Sequence, residues 1–133
     1  MKKVILGILV IVVIGVLYGF YMYNKKVPSL ENTTPDYTLT ADELFSSFSN
    51  DEANAMKTYE GKVIQVSGTV LSVTPTDSIS NVVLSAKDAL FGGINCSFNS
   101  LENAPNKGQN MTVKCQCQGY LTNVILNNCV PVK

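Results

Sequence analysis

Apolar positions along this chain fall into three regimes. Val4 to Tyr23 is an uncharged, almost continuously apolar run, with Lys2 and Lys3 before it and Lys25 and Lys26 after it. At helical rise such a run covers about 30 Å, the thickness of a bilayer's hydrocarbon core. It is longer than the apolar stretch of a cleaved secretory signal, and it ends on bulky Tyr18, Phe20, Tyr21 and Tyr23 rather than small residues. Such rings suit the membrane–water interface, so the run predicts an uncleaved single-pass anchor over residues 1–26. Residues 27–38, with Pro28 and Pro35 and no periodicity, read as a linker.

Beyond residue 38 the apolar spacing is first helical, then strand-like. Thr40-Ala41-Asp42-Glu43 has the form of a capping box, and Leu44, Phe45 and Phe48 follow on one helical face. Asn50 or Asp51 can cap a second short helix through Tyr59. Alternation then takes over. The first strand is expected over Lys62 to Thr74, with a parity change near Gly68 that implies a bulge or bend. Further strands are expected at Asn81 to Ala86, around Ile94, Cys96 and Phe98, through Met111 to Gln118, and from Asn123 to Val132. Turns at Pro75 to Ser78 and Pro105 to Gly108 separate them. Five short strands, the first long and bent, leave no room for crossover helices. The expected fold is mostly β: a small five-stranded Greek-key barrel over residues 39–133, preceded by two short helices.

Charge changes the functional picture. The chain is neutral overall, but four of its ten lysines flank the apolar run and all ten acids lie beyond residue 30. The part after residue 26 therefore has six Lys against ten acids, a net of −4, and no Arg. That is the wrong sign for tracking phosphates, and it lacks the guanidinium fork that reads guanine. Nucleic acid is disfavoured as a partner. With no His, the commonest general base and metal ligand is missing, and the paired acids Asp42/Glu43 and Asp51/Glu52 sit at helix starts, where capping and the helix dipole account for them. Catalysis is not expected, and neither is a cofactor. Gly92-Gly93, with no helix after it, reads as a turn or bulge rather than a phosphate cradle.

Four stretches carry a resemblance to a known family: Leu39 to Phe45, Tyr59 to Gly68, Ile94 to Phe98, and Lys107 to Cys129. In order and spacing they resemble the bacterial tRNA-anti-like family of OB-fold proteins with N-terminal anchors or signals. The resemblance covers Thr38 to Lys133 and implies the OB fold. It implies no established activity, although the family's name records likeness to anticodon-binding domains.

Cys96, Cys117 and Cys129 fall where that family's pattern looks rich in cysteine, whereas Cys115 looks like a departure. Cys115 and Cys117 sit two apart on one strand, too strained a pair to bridge. Two pairings remain open: Cys117–Cys129 with Cys96–Cys115, or Cys115–Cys129 with Cys96–Cys117. The expectation adopted is a single Cys117–Cys129 bridge between the last two strands, which requires a bulge near Asn127-Asn128. Four cysteines in so small a domain suit an oxidising compartment. Together with the lysine flanks they place the N-terminus in the cytoplasm and the domain outside.

For a binding surface the aromatic candidates are Phe91, Phe98 and Tyr120, since OB barrels commonly bind across their second and third strands and flanking loops. Phe98 shares parity with Ile94 and Cys96, a core position, whereas Tyr120 sits beside Gly119 at a turn. The expectation is a membrane-anchored, extracytoplasmic OB-fold binding module, non-enzymatic, for an envelope protein, peptide or glycan. Two alternatives are carried: a cytoplasm-facing nucleic-acid-binding OB domain, and a thiol or soft-metal site built on Cys115-Gln116-Cys117 with Cys96 and Cys129. Gly15 and Gly19 have the spacing of an anchor–anchor contact, which leaves the oligomeric state open.

Overall fold

Glu43 and Thr40 exchange the two hydrogen bonds that the sequence spacing anticipates. The Glu43 amide donates to Thr40 Oγ1 at 3.2 Å, and the Thr40 amide donates to Glu43 Oε2 at 2.8 Å. This capping box starts α2 (Ala41–Asn50) in the computed structural model, which describes residues 2–25, 28–76, 79–90 and 92–132. Asp51 ends α2, its amide donating to Ser47 O, and starts α3 (Glu52–Tyr59), its carboxylate accepting from the Asn54 amide at 3.1 Å. Ahead of them, α1 runs over Lys2–Tyr23. Its described side chains are all exposed, and it is long and apolar enough to cross a bilayer.

Six strands form: β2 (Val63–Thr74), β3 (Ser80–Ser85), β4 (Gly93–Phe98), β5 (Asn110–Leu121) and β6 (Asn123–Pro131) fall where the alternation places them, whereas β1 (Tyr37–Thr40) is an addition at the end of the expected linker. The sheet order is β1-β2-β3-β4-β6-β5, and β5 returns to β2, so β2 to β6 close into a five-stranded barrel. β4 lies parallel to β6, whereas the barrel's other pairs are antiparallel. This is the expected OB arrangement. β1 adds outside the ring, parallel to β2 from Tyr37↔Ile64 to Thr40↔Ser67.

β2 serves two neighbours, pairing with β5 through Val63 to Thr69 and with β3 from Val70 onward. The register shift lies between Val70 and Ser72, slightly beyond the position that the parity change suggests. Gly68 has a different task. A Cβ there would stand 2.9 Å from the Cβ of Ala41, so its bareness lets the first turn of α2 lie on the strand.

Inward positions form one core. Ile64, Val66, Val82, Leu84, Ile94, Cys96, Phe98, Val113, Val124 and Leu126 are fully buried, and Leu44, Phe45 and Phe48 of α2 join them.

The segment ahead of β1 is more ordered than its composition suggests. Leu30 is buried, and the Lys114 ammonium donates to Glu31 O at 2.9 Å and to Thr33 O at 2.7 Å. Asn128 Nδ2 donates to Pro28 O at 2.9 Å, and the Asp36 carboxylate accepts from the Val63 amide at 2.9 Å. Residues 28–36 thus form a strap across β5 and β6. Pattern reading misses it because most of its bonds use backbone carbonyls, which carry no side-chain signature.

Candidate functional site

In an OB barrel the second and third barrel strands form the usual binding surface; here these are β3 and β4. Strand alternation turns Val82, Leu84, Ile94, Cys96 and Phe98 inward and leaves Asn81, Val83, Ser85, Asn95 and Ser97 outward. Register then brings the outward residues together: Asn81 opposite Ser97, Val83 opposite Asn95, and Asn95 beside Ile125 of β6. Ser97 Oγ donates to Asn81 Oδ1 at 2.7 Å. Asn95 Oδ1 is shielded from solvent yet accepts no hydrogen bond, a position that usually costs about 1–3 kcal/mol. The surface is neutral: amides and a hydroxyl between two aliphatic side chains, with an acceptor left free. Sequence reading overlooked it because it sought aromatic rings, although the polar outward parity of β3 and β4 was available as a signal.

The aromatic candidates fall elsewhere. Phe98 is fully buried in the core; its inward parity withholds the ring from any ligand. Tyr120 is half-buried, with its ring stacked on Phe48 at 5.7 Å and edge-on to Phe45 at 6.0 Å. It joins α2 to the barrel rather than standing free at the turn. Phe91 lies outside the described residues.

β4 begins under tight constraint. Gly93 has φ 152°, and a Cβ on it would meet Leu84 O at 2.2 Å. Its amide donates to Asn123 Oδ1 at 3.0 Å, tying β4 to the β5–β6 turn. Close approach of β3 therefore explains this half of the Gly92-Gly93 doublet, consistent with a turn or bulge.

The bridge joins Cys115 to Cys129, with Cα atoms 4.2 Å apart, and Cys96 and Cys117 are free and buried. The expected Cys117–Cys129 pairing is corrected by the position of the turn. The hairpin reverses at Thr122, φ 67°, beyond the turn expected beside Gly119 and Tyr120. Cys115 and Cys129 are equally far from Thr122 along the two strands. Two register shifts, between Cys117 and Gly119 and between Lys114 and Gln116, leave Cys117 facing Leu126. The irregularity expected near Asn127-Asn128 is present, as Asn128 has φ 53°. Burial pushes the Cys96 thiol up to about 12 and the Cys117 thiol up to about 11.

Of the paired acids, Glu43 and Asp51 act as caps. The Glu43 carboxyl is held below its usual range by the backbone hydrogen bond from Thr40, then by the Thr40 hydroxyl. Asp42 accepts from the Lys87 amide at 2.8 Å and faces its ammonium at 3.7 Å.

The model of the tRNA_anti-like family matches residues 1–130. No curated protein matches the chain in sequence. The fold is similar to that of a crystal structure described as a "putative nucleic acid-binding lipoprotein" from Klebsiella pneumoniae subsp. pneumoniae, with TM-score 0.60 and 19% identity over 72% of this chain and 91% of that one. A "putative aspartyl-tRNA synthetase" from Leishmania major aligns at TM-score 0.46 and 10% identity, over 87% of this chain but only 26% of its own length. With the expected barrel in place and the family model covering nearly the whole sequence, the chain belongs to the tRNA-anti-like family of OB-fold proteins.

Proposed function

We propose that the chain is a single-pass membrane protein, anchored by α1, that presents its OB barrel outside the cytoplasm as a non-enzymatic binding module. Its ligand is an envelope protein, peptide or glycan, taken on the outer face of β3, β4 and β6. The observation that carries this reading is the neutrality of that face: Asn81, Asn95 and Ser97 offer amide and hydroxyl groups, flanked by Val83 and Ile125. Such a surface suits a neutral, hydrogen-bonding ligand with some apolar area. A phosphate backbone would need cations there. The buried Cys115–Cys129 bridge suits an oxidising compartment. The Klebsiella protein's description raises nucleic acid as the competing ligand, but likeness at 19% identity speaks to fold alone.

The test places a photo-crosslinking residue at Asn95 in the full chain, in intact cells, with exposed Glu52 on α3 as the control position. Adducts with an envelope protein or glycan at Asn95, absent from the control, are the expected result. Adducts with RNA or DNA, accompanied by saturable oligonucleotide binding at low salt, would favour the cytoplasmic reading. Thiol tagging of the same cells reads the compartment. Two cysteines should stay untagged until reductant is added, whereas four that tag after denaturation alone would refute extracytoplasmic placement.

A further inference from the structure

Three sulfur atoms meet inside the barrel, and the bridge uses only two of them. Sγ of Cys96, Cys115 and Cys129 all lie within 4.8 Å of one another. Cys96 reaches the bridge because β4 runs parallel to β6, which sets Cys96 beside Leu126, three residues before Cys129. The positive φ of Asn128 then resets the strand so that Leu126 and Cys129 both face inward, despite their odd separation. Cys117 is equally buried but does not belong to the trio, and so serves as an internal control.

We propose that Cys96 is an alternative bridging partner, so that the core disulfide can pass from Cys115–Cys129 to Cys96–Cys129 or Cys96–Cys115 by thiol–disulfide exchange. Cys96 gives up its thiol proton, and the thiolate sulfur attacks Sγ of Cys129. A new S–S bond forms as the old one breaks. The electron pair of the broken bond stays on Cys115, which takes up a proton. One bridge and one thiol exist before and after, so the step needs no oxidant or reductant. Attack on Sγ of Cys115 is the mirror case and releases Cys129.

The consequence is mechanical. In the present pairing the staple joins β5 to β6. Either alternative ties β4, the strand that carries Asn95 and Ser97 on its outer side, to one of these neighbours. Bridge identity would thereby alter the freedom of that strand. Cys96 is wholly enclosed and Cys129 nearly so. Cys129 lies at a shallow depression of about 200 Å³, lined in part by Ser29 and Glu31 of the strap. Burial keeps the thiolate form of Cys96 scarce at neutral pH, so exchange is slow once the barrel has closed.

The proposal stands independently of the ligand. Its test uses the full chain in detergent, refolded with oxidised glutathione as the acceptor of two electrons, with bridges mapped by mass spectrometry of non-reduced digests. Cys115→Ser should form Cys96–Cys129, leaving one taggable thiol where three cysteines remain, and that thiol should be Cys117. Cys129→Ser should form Cys96–Cys115. Three free thiols in both variants, with far-UV circular dichroism like that of the parent, would overturn the proposal, as would a bridge through Cys117. Should the variants fail to fold, the parent decides. Held in a glutathione redox buffer and quenched with acid, it should contain molecules with Cys96 bridged and Cys115 or Cys129 free; finding Cys96 only as a thiol would refute the exchange.

Discussion

Lys114→Met tests whether the strap is an independent element held by one buried cation. The ammonium donates to Glu31 O at 2.9 Å and to Thr33 O at 2.7 Å, and the side chain is nearly enclosed. Hydrogen bonds to a charged group contribute about 1.5–3 kcal/mol each. Glu31 and Thr33 are exposed, however, so their carbonyls recover water once the ammonium is gone. Methionine also keeps most of the apolar stem that Lys114 buries. These offsets bring the net cost down to about 1–2 kcal/mol, or roughly 5–30-fold in the opening equilibrium of the strap. Asn128 and buried Leu30 still hold it, so the strap loosens without leaving. Hydrogen exchange followed by mass spectrometry on the full chain reads this directly. Peptides covering residues 28–36 should exchange faster by that factor, whereas those of β2 and β5 around Ile64 and Cys117 should not change. Unchanged strap exchange would refute the clamp. Equal acceleration in β2 and β5 would show that Lys114 holds the barrel itself.

Further substitutions probe the core and the start of β4. Phe98→Ala removes a fully buried ring and should cost about 3–5 kcal/mol in denaturant unfolding; a loss below about 1 kcal/mol would mean that the ring is not packed as described. Gly93→Ala places a Cβ 2.2 Å from Leu84 O on a backbone of φ 152°. It should lower stability by about 2 kcal/mol or more, whereas Ala at Gly61, where a Cβ meets nothing, should suffer only the backbone penalty of its own positive φ. Alkaline pH exposes the buried thiol. Because the folded chain holds Cys96 up to about 12, against about 8.5–9 when unfolded, its contribution is intact below pH 9. It is lost as pH rises from there toward 12, at about 1.4 kcal/mol per pH unit. Cys96→Val should reduce that slope, leaving the loss that buried Cys117, held up to about 11, contributes over the lower part of the range; a parent and variant with the same alkaline slope would refute the assignment.

Sequence alone determined the features governed by local periodicity. A long uncharged apolar run is a long apolar helix whatever surrounds it, and α1 spans Lys2–Tyr23. The capping box at Thr40 and Glu43 needs only residues three apart, and it forms with both of its bonds. Alternation in Met111 to Gln118 marks a half-buried strand in any sheet, and five strands without crossover helices leave few folds besides the small barrel. Tertiary structure decided matters of register and covering. Which cysteine faces Cys129 depends on a turn at Thr122 and two compensating shifts, and moving a turn by a residue changes every cross-strand pair. Tyr120 was legible as a residue near a turn, but only the approach of α2 decided that its ring would stack on Phe48. The strap depends on carbonyl groups that every residue possesses, selected by a lysine more than eighty positions away. The neutral face is completed only when β6 comes to lie beside β4, bringing Ile125 next to Asn95 from a separate part of the chain. Local propensity is written in neighbouring side chains, whereas register, docking and shared faces arise only when the closed barrel brings distant ones together.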